Sequence, residues 1–130
     1  MFTIIFPVLN ERLRLENGVT RTVEYLQSIA FEDYEIIIVD NGSEDETPQI
    51  AEKLCKKYDK VRYERINVRG VGAAFRRGVE VSHGDVVGYM DIDLSTNIRH
   101  LGEAIHLFET QPEIQYINGS RFARESDTRG

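Results

Sequence analysis

Glu35-Ile36-Ile37-Ile38-Val39, running straight into Asp40-Asn41-Gly42-Ser43, is the stretch whose reading decides the fold. Successive side chains of a strand point to opposite faces, so four apolar residues in a row leave neither face for water. A run of this kind suits a strand covered on both sides, the habit of parallel sheets flanked by helices. Similar short runs stand at Phe2-Thr3-Ile4-Ile5-Phe6, Val61-Arg62-Tyr63, Asp85-Val86-Val87-Gly88-Tyr89-Met90 and Ile114-Gln115-Tyr116-Ile117, and each reads as a strand. Helical spacing fills the gaps. A first helix is expected over about Gly18 to Ala30, with Val19, Val23, Leu26 and Ile29 or Ala30 on one face. A second starts at Ser43, with Glu46 as capping-box partner, and runs to Tyr58. A third covers about Gly72 to Ser82, and a fourth begins near Asn97 and stops at Pro112. Strand and helix alternating in this way predict an α/β fold with right-handed crossovers: a mostly parallel sheet with helices on both faces. The tail from Ala123 to Gly130 is polar and without period, and reads as a loop leading elsewhere, as though residues 1–130 were the N-terminal domain of a longer protein.

Bulk properties exclude several classes. The 130 residues suffice for one core, burying roughly two thirds of the surface of the unfolded chain. With 16 Lys and Arg against 22 Asp and Glu the net charge is −6, which disfavours nucleic acid as a partner. A small polyphosphate stays admissible if a divalent cation or backbone N–H groups supply positive charge locally. The single cysteine, Cys55, can build neither a disulfide framework nor a zinc site and fits a reducing, cytoplasmic setting. No segment approaches the ~20 apolar residues of a membrane span, so any anchor is expected beyond Gly130. Nothing sets the oligomeric state, and a homo-oligomer stays open.

Ligands of open α/β sheets sit outside the carboxyl ends of the strands, which directs attention to four segments. After the first strand, Pro7 is expected to stop ladder pairing, and Asn10 and Glu11 either meet a ligand or merely start a helix. After the second, Asp40 offers acceptors to a base or ribose, unless it and Ser43 only cap the next helix; Gly42 permits a left-handed backbone. After the third, Arg69-Gly70-Val71-Gly72-Ala73-Ala74 allows backbone at Gly70 to approach a phosphate, or a helix to pack closely. Phe75 breaks the dinucleotide fingerprint and no P-loop is present. After the fourth, Asp91-Ile92-Asp93 is the most informative: in an extended segment two carboxylates at i and i+2 project to one side while Ile92 returns to the core. Such a pair repels itself unless a cation joins it, and hard oxygen ligands select Mg²⁺ or Mn²⁺.

In this order the segments resemble family two glycosyltransferases with the GT-A fold, and especially the branch that moves sugars onto dolichyl or polyprenyl phosphate. Pro7-Val8-Leu9-Asn10-Glu11 is similar to the family's Pro-x-x-Asn-Glu, Ile38 to Thr47 to its Val-Asp-Asp-Gly-Ser-x-Asp-x-Thr, and Asp91-Ile92-Asp93 to its Asp-x-Asp. Gly70 to Gly78, with Ser82-His83-Gly84-Asp85, matches its glycine-rich helix and the Gly-Asp opening the fourth strand, and Gly119-Ser120-Arg121 also fits. The resemblance implies that Pro7, Asn10, Glu11 and Asp40 contact the nucleotide and that Asp91 and Asp93 hold the metal and the sugar diphosphate, Ser95 joining through water. It implies inverting transfer of a sugar from a UDP or GDP donor to a lipid phosphate or glycan, at the cytoplasmic face of a membrane. Two departures touch nucleotide choice: Asn41 where many relatives have Asp, and Val71 where many have Lys. A phosphate acceptor needs no general base, and none is named; His83, His100 and His106 are candidates by residue type only. Two other readings remain: a receiver-type module, for which no lysine lies near Ile117 to Ser120, and a nucleotide-binding fragment that is catalytically incomplete.

Overall fold

The first strand, β1, spans Phe2–Val8 and occupies the middle of the sheet. On one side it pairs in parallel with β2 (Tyr34–Asp40), residue against residue from Phe2 with Tyr34 to Val8 with Asp40. On the other it pairs in parallel with β4 (Val86–Tyr89), from Phe2 with Val86 to Ile5 with Tyr89. Beyond β2 lies β3 (Val61–Arg65), also parallel, and beyond β4 lie the antiparallel β6 (Phe122–Arg124) and β5 (Tyr116–Ile117). The six-stranded order is β3-β2-β1-β4-β6-β5. The computed structural model describes residues 1–68, 70–84, 86–93, 98–110, 116–117 and 122–124.

Alternation along the strands sorts the core into two layers. Phe2, Ile4, Phe6 and Val8 of β1 and Ile36 and Ile38 of β2 face α1 (Leu15–Ser28), α2 (Thr47–Lys57) and α4 (Arg99–Thr110), meeting Leu15, Val19, Val23, Leu26, Leu54 and Leu101. Ile5, Ile37, Val39 and Val87 face the opposite way, onto Ala74, Phe75 and Val79 of α3 (Val71–Val81). Helices therefore cover both faces, as the run at Ile36 to Val39 predicts.

Several sequence expectations are corrected. Pro7 does not end the ladder, because β1 continues to Val8 and the Val8 carbonyl accepts from Asn41 N–H at 2.9 Å. The Ile5 carbonyl bonds Met90 N–H on the β4 side, so Pro7, two residues on, turns its missing donor to the side where β4 has already ended. Helix α1 starts at Leu15, ahead of Gly18, since Leu15 and Arg14 N–H both donate to the Glu11 carbonyl. At its far end Ile29 and Ala30 lie outside the helix, Ala30 at φ 55°. Helix α2 starts at Thr47, and the Ser43–Glu46 capping box does not form, because the Ser43 hydroxyl is engaged elsewhere. Ala123 and Arg124 belong to β6, where the polar composition of the tail suggested loop; pairing with β4 sets the backbone there. The expected start of α4 near Asn97 and its stop at Pro112 lie outside the described residues.

Candidate active site

The carboxyl ends of β1, β2 and β4 and the loop entering α3 enclose an open cleft of about 300 Å³. Pro7, Glu11, Gly70 and Asp91 line it, joined by Val8, Leu9 and Asn41. Four of the seven residues singled out from sequence thus meet at one place, and the other three, Asn10, Asp40 and Asp93, do not line it.

Asp40 is fully buried and both its oxygens are engaged within the protein. Oδ1 accepts from the N–H groups of Gly42 at 3.0 Å and Ser43 at 2.7 Å, a turn made available by Gly42 at φ 94°. Oδ2 accepts from the Tyr63 hydroxyl at 2.7 Å and Arg65 Nη1 at 3.3 Å. Arg65 also donates to the Ser43 carbonyl at 2.9 Å, while its own side chain stays 43% exposed. Burial and the bond to Asp40 push the Tyr63 phenol up to about 12, so it remains a donor throughout the neutral range. Tyr63 and Arg65 escaped the sequence reading, which followed the third strand only as far as Tyr63. The signal was available: the strand runs to Arg65, and period-two alternation puts both side chains on one side, Arg65 directly opposite Asp40.

Asn10 sits in the left-handed region at φ 53° and is exposed. Its position is fixed by a lattice between two loops. The N–H groups of Asn10, Glu11 and Arg12 donate to Ser43 Oγ at 2.8 Å, Thr47 Oγ1 at 2.9 Å and Asp45 Oδ2 at 3.3 Å, and Asn10 Oδ1 accepts from Glu44 N–H at 2.8 Å. Ser43 and Thr47 thus hold the loop that carries Glu11 to the cleft.

Strand β4 ends at Tyr89 and the chain turns at Ile92 and Asp93, so the strand alternation expected for Asp91 and Asp93 does not apply. Ile92 is buried against Gly18 of α1, as expected, and both carboxylates are exposed, with Asp91 on the cleft. Among the described residues no group of three or more His, Cys, Asp or Glu side chains is arranged to hold a metal ion. Glu11 and Asp91, two hard carboxylates on one cleft, still suit Mg²⁺ or Mn²⁺, which are commonly held by one or two carboxylates with substrate phosphates completing the shell. Ser95 lies outside the described residues.

None of the three histidines lines the cleft. At the opposite end of the sheet buried Glu35 receives Thr3 Oγ1 at 2.8 Å, His83 N–H at 2.5 Å, Arg62 Nη1 at 3.2 Å and His83 Nδ1 at 3.3 Å. Burial alone would raise this carboxyl; the bonds from His83 and Thr3 and the Arg62 charge outweigh it and hold the group below its usual range. His100 and His106 lie on α4, His106 exposed.

A family model for glycosyl transferase family 2 matches residues 3–129. The chain belongs to that family. As a family 2 glycosyltransferase chain it is 37% identical over 122 residues to glycosyltransferase AglD of Haloferax volcanii, covering 92% of this chain and 19% of that protein. It is 34% identical over 137 residues to the dolichyl-phosphate beta-glucosyltransferase of Mus musculus, covering 97% of this chain and 42% of that protein. The chain thus spans less than half the length of these relatives. Among solved structures, the mannosyltransferase PcManGT from Pyrobaculum calidifontis in complex with GDP-Man and Mn²⁺ superposes with a TM-score of 0.70 at 20% identity, covering 89% of this chain and 35% of that one. The fold of this family 2 chain is accordingly GT-A, and the Mus musculus relative is by its name a dolichyl-phosphate sugar transferase. A receiver-type module is set aside by the family match. No helix among the described residues is long and apolar enough to cross a membrane.

Proposed function

We propose that the cleft binds a nucleoside diphosphate sugar, UDP- or GDP-linked, and that the chain forms the donor half of an inverting transferase whose acceptor is a polyprenyl phosphate. The observation that carries this reading is the convergence of Pro7, Glu11, Gly70 and Asp91 on one cleft at the carboxyl ends of the parallel strands. The family and the dolichyl-phosphate relative support the reaction class and acceptor.

Inversion follows from a single displacement. The acceptor phosphate oxygen attacks the anomeric carbon from the face opposite the diphosphate; the bond to the donor phosphate breaks and its electron pair leaves with the diphosphate. The acceptor is already anionic, so no protein group has to remove a proton. Developing charge on the leaving group is the main barrier, and a divalent cation, when bound, stabilises it as a Lewis acid. Asp91 and Glu11 on the cleft, with Asp93 two residues further on, would hold that ion. Pro7 and Gly70 contribute shape: Gly70, at φ 124°, brings backbone to the cleft with no side chain in the way.

The test is calorimetric titration of the chain with UDP-glucose and GDP-mannose, with and without Mn²⁺. Metal-linked binding of one donor, removed by Asp91→Ala and weakened by Asp93→Ala, is expected. Binding that ignores both the metal and these substitutions would refute the reading.

A further inference from the structure

Asn41 is 6% exposed and lies at the end of β2 on the cleft. One end of its carboxamide faces two carbonyl oxygens, Val68 at 2.9 Å and Gly70 at 3.2 Å; only a donor satisfies both, so this end is the nitrogen. The Gly70 carbonyl also accepts Ala74 N–H at 3.1 Å, the first helical bond of α3. The near end of the same loop is pinned to the same strand, Ile66 N–H donating to the Asp40 carbonyl at 2.8 Å. Ile66, Val68 and Gly70 are therefore all tied to β2 or the residue that follows it, and Asn41 makes the ties to Val68 and Gly70.

We infer that Asn41 is a positioning residue for nucleotide binding: its amide latches Val68 and Gly70, fixing both the wall of the cleft and the start of α3. The consequence for binding rests on the proposed donor site; the latch itself does not. The amide matters chemically. An aspartate of the same shape would aim negative charge at two carbonyl lone pairs and add a third carboxylate to a cleft already lined by Glu11 and Asp91. Asparagine supplies two donors and no charge, suiting a loop that has to lie beside a diphosphate.

Two measurements on the full chain separate the latch from its consequence. In the free protein, hydrogen exchange of peptides spanning residues 66–76 should accelerate in both Asn41→Asp and Asn41→Ala; unchanged exchange would overturn the latch. Affinity for UDP and GDP with Mn²⁺ should then fall about tenfold in Asn41→Ala at every pH. In Asn41→Asp the loss relative to wild type should be larger at about pH 8 than at about pH 5.5, because burial against the Val68 and Gly70 carbonyls raises the new carboxyl, and its protonated form, which regains one donor, gains weight at the lower pH. A general structural weakening would give no such pH-dependent ratio, and the isosteric Asp variant carries the test if the Ala variant does not fold. Nucleotide affinities within twofold of wild type in both variants would refute the positioning role. Failure of the wild type to bind either nucleotide would refute the donor site, leaving the latch to be judged by exchange alone.

Discussion

Gly18→Ala tests whether helix α1 sets the position of the Asp91-Ile92-Asp93 turn. A Cβ at Gly18 would stand 2.8 Å from Ile92 Cδ1 and closer still to the Ile92 carbonyl oxygen. The side chain could rotate; the backbone carbonyl could move only by shifting the turn that carries both carboxylates. Gly72→Ala is the natural control, because a Cβ there meets nothing within 4 Å. Alanine is favoured over glycine inside a helix by about 0.5–1 kcal/mol, so Gly72→Ala, in the first turn of α3, should stabilise by about 0.5 kcal/mol. Gly18→Ala carries a similar propensity gain against an overpacking cost of about 1–3 kcal/mol, so it should lie about 1–3 kcal/mol below the control. Urea unfolding of the two variants measures that difference. Calorimetry with Mn²⁺ and nucleotide should show weaker binding for Gly18→Ala alone, since only there does the turn bearing Asp91 shift. Equal stability of the two variants, with wild-type nucleotide affinity in both, would refute the claim that this glycine is a packing requirement of the site.

Two further substitutions probe groups outside the cleft. Glu35 is held below its ordinary value of 4.5, so its contribution to stability is present above that pH and is lost as pH falls through the lower folded value. Glu35→Gln should therefore be less stable than wild type near neutrality and show a flatter loss of unfolding free energy on acidification, measured by urea titrations across the acid range. Tyr63→Phe removes one donor from the buried Asp40 carboxylate and should cost about 1.5–3 kcal/mol by the same assay; an unchanged urea midpoint would mean that Arg65 and the backbone donors already satisfy Asp40.

The layering of the fold was legible because it rests on burial, and burial writes itself into periodicity. Ile36 to Val39 announces a strand covered on both faces, and the structure divides those residues between α1, α2 and α4 on one side and α3 on the other. Boundaries were less legible, because they depend on which side of the chain a partner lies. Pro7 signals a ladder end only toward β4, a fact that one sequence in one dimension cannot carry. Ser43 looks like a helix cap and instead receives Asn10 N–H across 33 positions of sequence. The site was legible as a set of segments. The division of labour within it was not, since spacing names the residues at each strand end without saying which of their atoms are already occupied.

Asp40 shows what that division means for experiments on this fold. Its carboxylate is at the tip of a strand, where a ligand group belongs, yet it is sealed and receives two backbone N–H groups, a phenol and a guanidinium from its own chain. Through these bonds it orders Ser43, whose hydroxyl holds Asn10, next to the Glu11 that reaches the cleft. Replacing Asp40 by Asn would turn an amide donor toward Tyr63 and Arg65 or toward two backbone N–H groups, leaving donors facing a donor whichever way the amide lies. The site would then lose order before any ligand arrived. Loss of nucleotide binding in such a variant is therefore no proof of contact with the nucleotide; contact is separated from loop order only where affinity falls while hydrogen exchange of the segments 10–12 and 41–47 stays as in wild type.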